Sequence, residues 1–327
     1  MYMCDENFNI SRDINLNPPE FTIPIDRIGV SNIYLPSLHI KIGDWSTSTI
    51  VKVSAYVDLP KTYKGIHASR SYESITDVFS NYIGMKIKIE DFCNDISKRL
   101  LVRHDYSSNS VVYAEAPLIY IDKTPLDRES YERAYLLGKA YAKRVSDRIK
   151  TRKFLGIKAV GITACPSAKR SIYIEFLERL SRLDSQIYKN IVKYKEEIDQ
   201  ILPVATHMQR AYIKIFMEIP ENYDVNALDL LKIVKTAASS PTYEYLKKDD
   251  ETLVILNALN NPKFVEDVIR DIARSIIERY NDFPDNTQLY IRVKSIESIH
   301  QHDLSGTLKT NFIELRKTFS SRSRDNV

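Results

Sequence analysis

Apolar residues recur at every second position over two stretches of the chain. Val51, Val53, Ala55, Val57 and Leu59 alternate with Lys52, Ser54, Tyr56 and Asp58, and the run stops at Pro60. A period of two with one apolar face predicts a half-buried strand, and proline, which donates no backbone hydrogen bond, ends it. Ile213, Ile215, Met217 and Ile219 repeat the pattern against Lys214, Phe216 and Glu218, and Pro220 follows. The two endings rhyme: Asp58–Leu–Pro–Lys–Thr–Tyr63 against Glu218–Ile–Pro–Glu–Asn–Tyr223. After each comes sequence of helical character and then another strand-like run, Val111 to Ile121 and Leu289 to Ile296. The pattern predicts an α+β chain in which one unit occurs twice, with a boundary near Lys150. Coincidence within a common strand–turn pattern is the other reading of the rhyme.

Helical spacing fills the intervals. Asn261–Pro262 reads as a helix start, and Val265, Val268, Ile269, Ile272, Ile276 and Tyr280 recur behind it on one face. Tyr131, Ala134, Tyr135, Ala140, Tyr141 and Val145 predict another helix before Lys150. From about Ser171 to Ile201 the stripe Leu183, Ile187, Ile191, Tyr194 and Ile198 predicts one or two more. If Phe154 to Cys165 is a strand and His207 to Ile219 its antiparallel partner, this helical block is the connection of a hairpin. Cys165 then closes one strand where His207 opens the next, which brings their side chains near each other.

Composition narrows the class without naming a function. At 327 residues the chain has room for two domains. A net charge of +4 and a pI near 8.7 suit a small polyanionic ligand as well as nucleic acid. Against nucleic acid, no basic run carries interleaved aromatics, the nearest being the tail Arg316 to Arg324. No stretch approaches the ~20 apolar residues of a membrane helix, and Met1 to Pro19 is polar and acidic rather than a signal peptide. The three cysteines are far apart and offer no disulfide framework, so the expected compartment is a reducing cytoplasm.

Against this background the candidate chemistry is concentrated. With only three cysteines and six histidines in the chain, Cys165, His207 and the run Glu297–Ser–Ile–His300–Gln–His302–Asp303 all fall at strand ends or turns. A thiolate, an imidazole and a carboxylate hold a borderline-soft divalent ion while leaving a position open, as in catalytic rather than structural sites. Each residue also has a plain reading. Cys165 follows the apolar run Ile157 to Ile162, the usual setting of a buried inert cysteine. His207 can merely end a strand, and His300 and His302, at i and i+2, share one face of any strand. Glu297, three residues before His300, serves the same site only across a bulge or turn.

The segments Val57–Asp–Leu–Pro60, Lys64–Gly–Ile–His–Ala–Ser–Arg70, Ile162–Thr–Ala–Cys–Pro166, Thr206–His–Met–Gln–Arg210, Leu246–Lys–Lys–Asp–Asp–Glu251, Asn261–Pro–Lys–Phe–Val–Glu–Asp267 and Glu297–Ser–Ile–His–Gln–His–Asp303 settle the choice. In this order, from about Asp26 to about Thr318, the chain resembles the GTP cyclohydrolase IB family, and within it the archaeal, methanopterin-type branch. The resemblance implies tandem tunnelling-fold (T-fold) units, each an antiparallel four-stranded sheet carrying helices on one face. The first would span 26–150 and the second 151–318, with a helical insertion at about 168–202.

The resemblance further implies a metal held by Cys165, His207 and a glutamate of the Lys–x–Asp–Glu motif, here Glu251. Glu266 is the rival, although an acid in a helix first turn is favoured by the helix dipole in any case. The ion would be iron(II), with zinc or manganese as alternatives. Many relatives carry Cys–Pro–Cys where this chain has Ser167, which leaves the metal one soft donor. The substrate would be GTP, opened at C8 of guanine to give formate and a 7,8-dihydroneopterin phosphate, the archaeal branch implying the 2′,3′-cyclic phosphate. Glu297 would pair with the N1–H and amino donors of guanine, a choice that rejects adenine. His300 and His302 would carry protons. His67, Arg70, Lys169 and Arg210 would meet the triphosphate. The implied assembly is a homo-oligomer, a dimer or tetramer, with sites between subunits. The alternative from another class is a non-catalytic T-fold protein that binds a purine or pterin.

Overall fold

A computed structural model describes residues 14–194, 198 and 201–322, with side chains to 320. The acidic N-terminal stretch before Ile14, part of the helical block at 195–197 and 199–200, and the tail beyond Arg322 lie outside the described residues. The chain forms two compact units. One holds the residues up to Lys41, Ser48–Glu115 and Gly138–Lys153, and the other Ile42–Thr47, Ala116–Leu137 and the residues from Phe154 on.

The strands β1 (Ile25–Ile42), β2 (Trp45–Leu59), β4 (Asn109–Lys123) and β5 (Glu129–Val145) lie side by side in that order, the first unit taking most of β1 and β2 and parts of β4 and β5. The short β3 (Lys86–Ile87) adds to β1 in parallel, with His39 opposite Lys86. β2 and β4 run antiparallel with Val53 opposite Ala114 and Ala55 opposite Val112. The predicted alternation holds, since Val51, Val53, Ala55, Val57 and Leu59 are all at most 3% exposed. Helices α1 (Ala68–Tyr82) and α2 (Ile89–Arg103) bring Ile75, Phe92, Ile96 and Leu100 into the core. Gly138 lets α2 approach β5, because a Cβ there would sit 2.7 Å from the Ile89 carbonyl oxygen and 2.8 Å from Cys93 Sγ.

The segment with helical spacing before Lys150 is the strand β5, not a helix. Ser130, Glu132, Ala134, Leu136, Ala140 and Ala142 are buried, while Tyr131, Arg133, Tyr135, Lys139 and Tyr141 face outward. Apart from Leu136 the alternating buried face is built from small or polar residues, and aromatic bulk sits on the open one, where Lys139 Nζ lies 4.5 Å from the Tyr141 ring centroid. Of the tyrosines in the predicted stripe, Tyr135 and Tyr141 are cation-stacking positions of a strand, under Lys158 and Lys139, and Tyr131 is exposed.

In the second unit the order is β6 (Arg148–Ala164), β7 (Met208–Ile219), β9 (Gln288–Ser295) and β10 (Leu304–Asn311). β8 (Ser240–Pro241) pairs with β6. β7 and β9 are antiparallel with Ile213 opposite Val293 and Ile215 opposite Ile291, all fully buried. Between β6 and β7 stand α3 (Pro166–Leu183) and α4 (Ser185–Lys193), as the stripe there predicts. Then come α5 (Ala227–Ala237), α6 (Lys248–Asn260), α7 (Val265–Arg279) and, after β10, α8 (Phe312–Arg322). α7 buries Val265, Val268, Ile272 and Ile276, but it starts behind Phe264 rather than at Asn261. Asn261 instead ends α6 and spends its amide on the carbonyls of Ala238 and Ser239, 3.2 Å each, and Pro262 keeps the chain from continuing as helix. Among the described residues no helix is long and apolar enough to cross a membrane.

Candidate functional site

The ends of β6 and β7 meet as the hairpin reading requires. The Cys165 N–H donates to the His207 carbonyl at 3.2 Å, and Thr206 Oγ1 donates to the Cys165 carbonyl at 2.7 Å. Cys165 is the last residue before α3 and caps it: its half-exposed Sγ accepts from the Ala168 N–H at 3.3 Å. The strand end is fixed from two further sides. Ser239 Oγ accepts from the Ala164 N–H at 3.2 Å, and the Ala164 carbonyl accepts from the Lys263 N–H at 3.0 Å.

From His207 a line of side chains runs across the sheet. His207 Nδ1 lies 2.9 Å from Gln209 Oε1, and Gln209 Nε2 donates to Glu297 Oε1 at 3.3 Å. The Glu297 carboxylate can only accept, so the amide NH2 faces it and the amide oxygen faces the ring. That oxygen can only accept in turn, which calls for the proton on Nδ1 and leaves the lone pair on Nε2. The sequence gives no sign of the part Gln209 plays beside His207. An amide gives no metal signal, but its place two residues after His207 puts it on the same face of the strand.

The run from Glu297 to Asp303 is the connection between β9 and β10 rather than a strand. Its bends remove the difficulty of the three-residue spacing: Glu297 is half-buried beside Gln209, while His300 and His302 are exposed, their rings stacked with centroids 5.0 Å apart and planes at 14°. Asp303 closes the connection through an ion pair to Lys294, 2.7 Å.

The other predicted residues are more dispersed. Glu251 is exposed in the first turn of α6, whereas its neighbour Asp250 is fully buried, accepting from the Leu126 N–H at 3.0 Å and from the Arg128 guanidinium. The charge run is thus half structural. Among the described residues no three His, Cys, Asp or Glu side chains gather into a group that could hold a metal ion. Glu266 is exposed in the first turn of α7, three residues after Lys263. Lys169 donates to the Leu259 carbonyl at 2.6 Å. Arg210 is exposed and lines a hollow of about 450 Å³ with Arg133, Tyr135, Lys158 and Tyr212. His67 and Arg70 belong to the first unit, as the N-cap and the first turn of α1.

A conserved-family profile described as type I GTP cyclohydrolase folE2 matches residues 12–305. The chain belongs to that family. Within the type I GTP cyclohydrolases it is 34% identical over 312 residues to GTP cyclohydrolase MptA 2 of Methanocella arvoryzae, covering 93% of this chain and 97% of that one. It is 31% identical over 320 residues to GTP cyclohydrolase MptA of Methanocaldococcus jannaschii, covering 94% and 98%. Among solved structures the fold is similar to that of the uricase from Arthrobacter globiformis, with a TM-score of 0.50 at 7% identity over 88% of this chain and 93% of that one. The urate oxidase of Bacillus sp. TB-90 gives the same TM-score, 0.50, at 11% identity over 88% and 100%.

Proposed function

We propose that this chain is a metal-dependent GTP cyclohydrolase that opens the imidazole ring of GTP at C8, releases formate and forms 7,8-dihydroneopterin 2′,3′-cyclic phosphate for pterin biosynthesis. The observation that carries the reading is the family match over residues 12–305 together with the meeting of Cys165 and His207 at one pair of strand ends.

The donors suit a borderline-soft divalent ion. Cys165 offers sulfur, His207 has its second nitrogen anchored by Gln209, and Glu251 offers oxygen. Iron(II) is the ion assigned, with zinc and manganese as alternatives. A divalent ion there supplies a Lewis acid and lowers the pKa of water to about 7. The side chains do the rest. Glu297, held by Gln209 through one oxygen, keeps acceptor capacity for the N1–H and amino group of guanine. His300 and His302, exposed on the same connection, carry protons as the C–N bonds break. His67, Arg70, Lys169 and Arg210 neutralise phosphate oxygens.

Two further readings belong to this proposal. The order strand, strand, helices, strand, strand occurs in β1, β2, α1, α2, β4, β5 and again, with one more helix, in β6, β7, α5, α6, α7, β9, β10, which supports tandem T-fold units at 26–150 and 151–318. The insertion of the second is α3 and α4. The assembly is a homo-oligomer whose sites draw ligands from more than one copy, a reading in keeping with the lack, among the described residues, of a three-residue group that could hold a metal ion.

The test is incubation of anaerobically purified protein with GTP, with and without ferrous iron, followed by detection of formate and of the pterin. Iron-dependent release of formate with a cyclic-phosphate pterin is expected. GTP binding without formate release under any of the three metals would overturn the enzymatic reading in favour of a purine- or pterin-binding protein.

A further inference from the structure

The first unit buries a relay of polar groups behind the segment that carries His67 and Arg70. Ser71 and His104 are both fully buried, at 0% exposure. Ser71 Oγ lies 3.0 Å from His104 Nε2, and Tyr106 Oη lies 2.9 Å from His104 Nδ1. A neutral imidazole has one N–H and one lone pair, and a hydroxyl can donate or accept, so the two hydroxyls satisfy both ring nitrogens without charge. Burial, and after it the charges of Arg70 and His67, push the His104 imidazole down to about 4, in keeping with that neutral form.

The relay reaches the segment by three routes. Ser71 is the next residue along α1 from Arg70. Tyr106 stacks on Tyr63, ring centroids 4.7 Å apart, and Tyr63 opens the loop that leads to Lys64 and His67. His104 ends α2 by donating its N–H to the Leu100 carbonyl at 2.8 Å, and the carbonyl just before it, that of Arg103, accepts from Arg70 Nη1 at 3.3 Å. One of the five guanidinium donors is thereby spent on orientation, leaving the fork for an anion. Asp58 fastens the far side, its Oδ1 accepting from the Ser108 and Asn109 N–H groups at 2.8 and 2.7 Å.

We propose that His104 is a positioning residue for the phosphates of the substrate: through Ser71, Tyr106 and the Arg103 carbonyl it holds the segment from Tyr63 to Arg70 in the orientation that receives them. It rests on the reading of Arg70 as a phosphate contact. A guanidinium whose rotamer is locked by buried neighbours binds an anion without first being ordered, so loosening the lock weakens phosphate binding and leaves ring chemistry alone.

The experiment compares Tyr106→Phe, Ser71→Ala and Arg70→Ala, each alone and the first combined with the third. GTP and guanosine affinities are measured by calorimetry, KM and kcat by formate release, and melting temperature for each. Losing one relay bond costs about a factor of 10 in GTP affinity and in KM, with kcat and guanosine affinity as in wild type. Because His104 acts through Arg70, Tyr106→Phe should add nothing in the Arg70→Ala background. If Arg70→Ala weakens GTP while Tyr106→Phe and Ser71→Ala bind it like wild type, the positioning role is wrong and the phosphate reading stands. Equal loss for GTP and guanosine would also overturn it, since the relay would then be general scaffolding. Wild-type GTP affinity in Arg70→Ala overturns both readings together.

Discussion

Gln209 has no metal chemistry of its own, yet it fixes which nitrogen of His207 faces outward and ties that ring to Glu297. Cys165→Ala or His207→Ala should abolish bound metal with the fold intact, because both residues lie at strand ends. Gln209→Leu should keep the metal but bind it some 10- to 100-fold more weakly, the usual cost of losing a partner behind a ligand. Metal content of the purified variants, with a chelator titration for Gln209→Leu, decides between these outcomes, and full stoichiometry in Cys165→Ala would sink the ligand assignment. The third ligand has two contenders, each exposed in a helix first turn. Glu251→Gln should lose metal while Glu266→Gln retains it, and the reverse result would transfer the role. The meeting of Cys165 and His207 was legible in the sequence because the flanking strands alternate cleanly. The contact of Gln209 with His207 was not, since an amide carries no distinctive signal.

At the scale of elements, legibility followed the contrast between the two faces. β2, β7 and α7 bury branched aliphatics on one side and announce their period. β5 hides its period because, Leu136 apart, alanines and polar residues make up its alternating buried face while tyrosines stand outside. The element packed against it, α2, carries a pH-sensitive group. Glu90 in its first turn is only 3% exposed, and burial pushes its carboxyl up to about 7. An unfolded glutamate titrates near 4.3, so the native state favours the protonated form. Its contribution is therefore complete below about pH 4 and is lost as pH rises through 7, a swing on the order of 3 kcal/mol. Glu90→Gln keeps the shape without the charge. Its melting temperature should exceed that of wild type at pH 8 and converge with it near pH 4. Parallel pH curves for the two proteins would show that Glu90 ionises freely in the native state.

For the whole molecule, the expected assembly makes activity a function of concentration. A native mass that is a multiple of 37.9 kDa is predicted, with specific formate release that falls on dilution and recovers on reconcentration. Specific activity independent of dilution, from a species of monomer mass, would remove the need for ligands from another copy. The strand ends before Pro60 and Pro220 were legible from the alternation that leads to them, and the division of residues between the two compact units was not, because long strands such as β5 contribute to both. The junction of β6 and β7 has its own consequence for how the gene can vary. Two hydrogen bonds, Cys165 N–H to His207 and Thr206 to Cys165, close the helical detour at its neck. Closing a longer loop costs little more than closing a shorter one, rising only as the logarithm of its length. The detour beyond the first turn of α3 is therefore a natural port: a reporter domain spliced between α3 and α4, at Asp184, would ride on the enzyme while the thiol and imidazole below the neck keep their places.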